Sequence, residues 1–161
     1  MATGTAADEQ ALLGEAVRAY QAAVDDYDRE LARILRINET DLRCLEILLQ
    51  ELPEAGPSEL AERLGLTTGS TTALLDRLER AGYLTRRPHP TDRRKSIVRA
   101  TPEFQQRALA LVTPMVAEGT QMIADTFTPE QIHTIAEFMR RSTALQHRHI
   151  QLLREANLAP G

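Results

Sequence analysis

From Ala7 to Arg36 apolar residues recur as Leu13, Val17, Tyr20, Val24, Tyr27, Leu31 and Ile34, in steps that alternate four and three. That spacing predicts one long helix with a heptad seam. The helix is too long to bury itself on a domain of this size, so the seam predicts packing against another subunit. A second helix is predicted from Asn38. Asn38 can cap it, Asp41 falls in the electropositive first turn and Ile37 can staple onto Leu42. Its apolar positions are Leu42, Leu45, Ile47, Leu48 and Leu49, and it must stop before Pro53.

After the loop Pro53–Pro57, Ser58 is read as the cap of a third helix with Leu60, Ala61 and Leu64 facing inward. Gly65 then supplies the left-handed residue that ends it. A fourth helix is predicted over Thr68–Arg80 with Thr67 as its cap. Its Thr71, Leu74, Leu75 and Leu78 form one stripe, while Gly69, Ser70, Thr72, Ala73, Asp76, Arg77 and Arg80 lie opposite. Two extended runs, 83–87 and 95–100, flank Pro88-His89-Pro90-Thr91-Asp92 and read as a hairpin. Thr101 and Pro102 open a fifth helix that Pro114 should kink. Thr128 and Gln131 are spaced as a capping box for a sixth helix carrying Ile132, Ile135, Ala136, Met139, Leu145, Leu152 and Leu153.

The predicted class is mainly α with a small β-hairpin wing, a winged helix-turn-helix flanked by long dimerisation helices. Residues 1–8 read as a disordered tail, 9–36 as an N-terminal dimerisation helix and 38–101 as the winged helix-turn-helix. Residues 102–156 read as C-terminal dimerisation helices and 157–161 as a tail.

Charge sharpens this picture. The 161 residues carry a net charge of −4. Between Arg77 and Arg99, however, eight basic residues face only Glu79 and Asp92, a local +6 that leaves −10 on the rest. Such segregation suits a protein that docks one face on a polyanion. No apolar run is long enough to span a bilayer and the N-terminus lacks a signal-peptide pattern, so a cytoplasmic setting and no membrane partner are expected. The single cysteine, Cys44, cannot form an internal disulfide and reads as a buried structural thiol.

Catalysis is not expected. There is no nucleophile–histidine arrangement, no glycine-rich phosphate loop and no carboxylate pair in a recognisable context. His147 and His149, two apart on a helix, point away from each other and cannot chelate one ion together, so no metal and no cofactor are expected. A winged-helix module that binds another protein is the alternative reading, against which the arginine-rich wing argues.

Three segments carry a family resemblance: Leu60-Ala61-Glu62-Arg63-Leu64, Asp76-Arg77-Leu78-Glu79-Arg80-Ala81-Gly82-Tyr83, and the wing motif Asp92-Arg93-Arg94. With the helical layout they make the chain resemble the multiple-antibiotic-resistance-regulator (MarR) family of bacterial transcription factors, over about residues 10–155. The resemblance implies a homodimer interlocked through the first, fifth and sixth helices, with Leu13, Val17, Tyr20, Ile132, Leu145, Leu152 and Leu153 at the interface. It also implies a double-stranded, pseudo-palindromic operator and an unknown small-molecule effector that releases it, so that the protein works as a repressor.

On this reading Ser70 and Thr72 meet base edges, Gly69 permits close approach, and Thr68 or Ala73 touches thymine methyls. Thr67 and the free N–H groups of its turn suit a phosphate. Arg77, Arg86, Arg93 and Lys95 are expected on phosphates. The family's minor-groove arginine maps to Arg94, with Asp92 orienting an arginine. An anionic or aromatic effector is expected among Tyr20, Tyr27, Arg43, Ile47 and Met115.

Overall fold

A computed structural model describes residues 6–92 and 95–158, the side chains of 157–158 excepted. Six α-helices and one hairpin follow in the order α1 (Ala6–Leu35), α2 (Glu39–Glu46), α3 (Pro57–Leu64), α4 (Thr68–Arg80), β1 (Leu84–Pro88), β2 (Ser96–Ala100), α5 (Pro102–Thr126) and α6 (Pro129–Leu158). The expected class, helical with one hairpin wing, is the class observed. α1 already begins at Ala6 and α6 runs to Leu158, so helix extends into both stretches expected as tails. Residues 1–5 and 159–161 lie outside the described residues.

The chain divides into two compact units, one ending at Leu111 and one starting at Val112, with the break inside α5. The first turns of α5 belong with the preceding helices because Phe104 is buried there and Ala108 and Leu111 pack against the same core.

Three helix ends in the first unit are built alike. After α1, α3 and α4 a residue adopts positive φ: Arg36 (57°), Gly65 (66°) and Gly82 (75°). The next N–H reaches back five residues, from Ile37 to Ala32, Leu66 to Ala61 and Tyr83 to Leu78, at 3.0, 2.9 and 3.0 Å. This is the Schellman arrangement, in which the residue after the left-handed one is apolar and folds back onto the core. Ile37, Leu66 and Tyr83 all do so.

The remaining ends follow their caps. Asn38 Oδ1 accepts from the Asp41 N–H at 2.8 Å, and Thr101 Oγ1 from the Phe104 N–H at 3.2 Å. Thr128 and Gln131 exchange both bonds of the box. α3 corrects one expectation: Pro57 occupies its first turn and Gly56, not Ser58, is the cap, with Glu59 accepting the Gly56 N–H at 3.4 Å. Helix α5 continues through Pro114.

The sequence pattern did not foretell two features. Residues Ile47–Glu51 widen into a π turn, closed by the Leu52 N–H on the Ile47 carbonyl at 2.8 Å. Ala55, between two prolines, forms an antiparallel bridge with Val98 that adds a one-residue third strand to the hairpin. One residue cannot show the period-2 alternation by which strands are read.

Tyr83 ties the end of α4 to both neighbours. Its hydroxyl donates to the Leu35 carbonyl at the end of α1 (2.9 Å) and accepts from Arg107 of α5 (3.1 Å). Arg107 also reaches the Ile34 carbonyl, and Phe104 lies against the ring at 4.8 Å between centroids.

Arg36 is the one non-glycine residue at positive φ among the described residues. The left-handed region costs a side-chain-bearing residue about 1–2 kcal/mol, more than the roughly 0.4–1 kcal/mol of unfolded-state entropy that glycine adds. Arg36→Gly should therefore raise the unfolding free energy by about 0.5–1 kcal/mol, read as a higher midpoint in urea titration.

Candidate nucleic-acid interface

α4 buries Thr71, Leu74, Leu75 and Leu78 and leaves Thr68, Gly69, Ser70, Thr72, Ala73, Arg77 and Arg80 exposed. At about 100° per residue the centre of the outer face falls on Gly69, Ala73, Asp76 and Arg80, with Ser70 and Arg77 on one flank and Thr72 and Glu79 on the other. A Cβ added at Gly69 would meet nothing within 4 Å, so the first turn lies open.

Hydrogen bonding sorts the hydroxyls. Thr67 caps the helix by accepting the Ser70 N–H at 3.2 Å, and its own hydroxyl donates to Ser70 Oγ at 3.0 Å. Ser70 thereby keeps its proton to donate outward. Thr72 donates to the Thr68 carbonyl at 2.9 Å, which leaves its hydroxyl oxygen free only to accept.

Both flanks of α4 are braced by ion pairs. On one side Arg77 Nε and Nη2 grip the carboxylate of Asp41 in α2 at 2.9 and 2.6 Å, and the Asp41 side chain is only 2% exposed. On the other, Arg86 of β1 reaches Glu79 at 2.9 and 2.5 Å and Asp76 at 2.5 Å, while its backbone N–H also binds Glu79. The hydrogen bond from Arg86 holds the Glu79 carboxyl below its usual range. Arg99 pairs with Glu54.

The arginines themselves stand out in the sequence, but their partners do not. Asp41 could have been found, because it shares a stripe with Cys44, Leu45 and Leu48, where a carboxylate demands a cation. Arg86 could not, since its partners lie on a separate element.

The strands pair from Leu84↔Ala100 to Pro88↔Ser96. The His89 N–H on the Lys95 carbonyl (3.0 Å) and the Lys95 N–H on the Asp92 carbonyl (2.9 Å) continue the pairing into the tip. Lys95 and Arg87 are exposed and Asp92 is half-buried. Arg93, expected on a phosphate, and Arg94, expected in the minor groove, lie outside the described residues.

A helix with an open, small-residue first turn beside a basic hairpin is the geometry that enters a major groove. The MarR family model matches residues 37–96, the segment just described. The Bacillus subtilis helix-turn-helix-type transcriptional regulator YcgE is 32% identical over 132 residues, 80% of this chain and 82% of that protein. The chain belongs to the MarR family.

The B. subtilis transcriptional repressor YetL shares 43% identity over 51 residues, 32% of this chain and 30% of that protein. FabT of Streptococcus pneumoniae, solved in complex with DNA, superposes with a TM-score of 0.67 over 88% of this chain and 99% of its own at 20% identity, a likeness of fold. As a MarR-family protein the chain is a DNA-binding transcriptional regulator.

The residues expected around an effector are distributed as follows. Tyr20 is exposed and Tyr27 half-buried on α1, Arg43 is exposed on α2, Ile47 is wholly within the core, and Met115 is exposed in the second unit. Arg43 pairs with Glu46 and Glu51 and lines a cavity of about 300 Å³ with Asp25, Asp28, Arg29, Glu39, Leu42 and Glu46. Cys44 is buried, and burial, with Asp41 nearby, pushes its thiol up to about 12. It stays protonated and unreactive at neutral pH.

Two carboxyls of that cavity sit above their usual range: Asp28 through burial and then Asp25, Glu46 through burial and then Asp28. A carboxyl with a raised folded-state pKa costs stability as pH rises past its unfolded value, and the cost is complete above the folded one. Asp28→Asn should therefore raise the melting temperature at pH 7, and the gain should fade on acidification toward about pH 3.5. Paired thermal scans at the two pH values check both halves.

Proposed function

We propose that the protein works as a homodimeric, sequence-specific repressor that binds a pseudo-palindromic operator in the cytoplasm and is released by a small-molecule effector. The observation that carries the DNA half is the open first turn of α4, on a helix whose later turns are held by ion pairs at Arg77 and at Asp76 and Glu79. Ser70 and Thr72 read base edges, Gly69 admits the backbone closely, Thr68 and Ala73 contact thymine methyls, and Thr67 with its turn receives a phosphate. Arg93, Lys95 and Arg77 neutralise backbone phosphates. Arg94 enters the minor groove, with Asp92 as the acid of the wing motif. Arg86 contributes through the edge of its guanidinium that Glu79 and Asp76 leave over. The DNA bound to FabT supports this half, and the repressor YetL supports the sign of regulation.

The dimer half rests on uncovered apolar surface. α6 has no buried residue among those described, and Ile132, Leu145, Leu152 and Leu153 stand exposed on it. On α1 Leu13 and Tyr20 are likewise exposed and Val17 is half-buried. A soluble monomer rarely leaves that much apolar area open, and a symmetric second copy covers it. Release by an effector belongs to the same proposal, with Tyr20, Tyr27 and Arg43 the side chains offered by the first unit.

Gel-shift titration against DNA upstream of the protein's own gene, with sedimentation of the free protein, tests this reading. A dimer of 18.0 kDa chains that shifts that DNA specifically is expected. A monomer that ignores DNA even at about 50 mM salt would sink it. Arg94→Ala should abolish the shift while dimer mass and melting temperature stay unchanged. Gly69→Ala should fold with equal or greater stability, because alanine is the better helix former by up to about 1 kcal/mol, yet bind the operator more weakly because its methyl stands where DNA backbone would approach.

A further inference from the structure

We propose that Asp41 is a positioning residue for DNA binding: a carboxylate set in the core to hold the guanidinium of Arg77 at the edge of the recognition helix, facing a backbone phosphate. The inference rests on the DNA reading above and adds a residue that touches no DNA.

Burying a carboxylate is expensive unless it is paired and hydrogen-bonded. Even then, apolar residues of similar volume in place of a buried ion pair often leave stability unchanged or raise it. Asp41 shares its stripe with Cys44, Leu45 and Leu48, all buried, so the site is one an apolar side chain would fill. Stability alone therefore does not account for a carboxylate there.

The geometry of the pair offers another reason. Asp41 engages Arg77 along its Nε/Nη2 edge, at 2.9 and 2.6 Å. In a planar guanidinium that turns the Nη1 N–H groups to the opposite edge. The Arg77 side chain remains 48% exposed although its partner is not. It stands two turns beyond Ser70 on the same flank of α4. A long side chain fixed before the encounter loses less freedom when it meets a phosphate. Because the anchor is buried, salt screens the pair less than it would a surface one. The opposite possibility is that Asp41 neutralises Arg77 and withholds it from DNA, which inverts the sign of every effect below.

Fluorescence anisotropy of the full-length protein on a mixed-sequence duplex of about 30 base pairs decides, since phosphate contacts are independent of sequence. Asp41→Asn should bind roughly tenfold more weakly, the loss of one charge-assisted contact. Its plot of log affinity against log salt should flatten by about 0.9, the share of one phosphate. Adding Arg77→Gln to Asp41→Asn should weaken binding no further. Arg77→Lys keeps the charge but cannot fork, and should weaken binding similarly; it decides the matter should Asp41→Asn fail to fold. A merely structural role would lower the melting temperature and leave the salt slope alone. Tighter or unchanged binding by Asp41→Asn, or wild-type binding by Arg77→Lys, overturns the proposal. Wild-type protein that ignores the duplex at about 50 mM salt instead removes the DNA reading itself and leaves the pair a brace within the fold.

Discussion

α4 must be held firmly while one of its faces stays empty. Four residues, Thr71, Leu74, Leu75 and Leu78, anchor it in the core along one stripe, and rotation about the helix axis would turn that stripe out of its packing. The ion pairs on its flanks oppose that rotation from both sides, Asp41 through Arg77 and Glu79 with Asp76 through Arg86. Neither brace uses Gly69 or Ala73. The order of the neighbouring elements follows from the same need: α2 must lie beside one flank, and the hairpin must begin soon enough after α4 to bring Arg86 back to the other.

This arrangement changes how the basic segment is to be understood. The local charge between Arg77 and Arg99 suits the polyanion-facing role proposed for this segment. Yet Arg77, Arg86 and Arg99 each have a carboxylate partner within the protein. Their charge contributes to the field that attracts DNA, while their hydrogen bonds are already spent in part on shape. The number of arginines therefore overstates the number of free phosphate contacts.

Most elements were legible because their ends are marked locally, by Asn38, Thr67, Thr101 and Thr128 as caps and by Gly65 after α3, whereas the cap of α3 was read at Ser58 instead of Gly56. The family was legible from three short motifs. Features set by partners distant in sequence were not. The pairing of Asp41 with Arg77 spans 36 residues, and the bridge of Ala55 to Val98 involves a single residue. The left-handed Arg36 escaped because arginine gives no sign of the conformation that glycine would advertise. The interface expected of α1 and α6 shows in this chain only as apolar residues left uncovered.

Tyr83 occupies a single position between two functions. It lies between α4 and β1, and its hydroxyl rests on the last carbonyl of α1, with Arg107 on the carbonyl of the residue before. The C-terminal end of the long first helix thus meets the joint between α4 and the hairpin through the phenol of Tyr83 and the Arg107 guanidinium beside it. The same residue therefore ties the C-terminal end of that helix to the end of α4 and to the start of the hairpin.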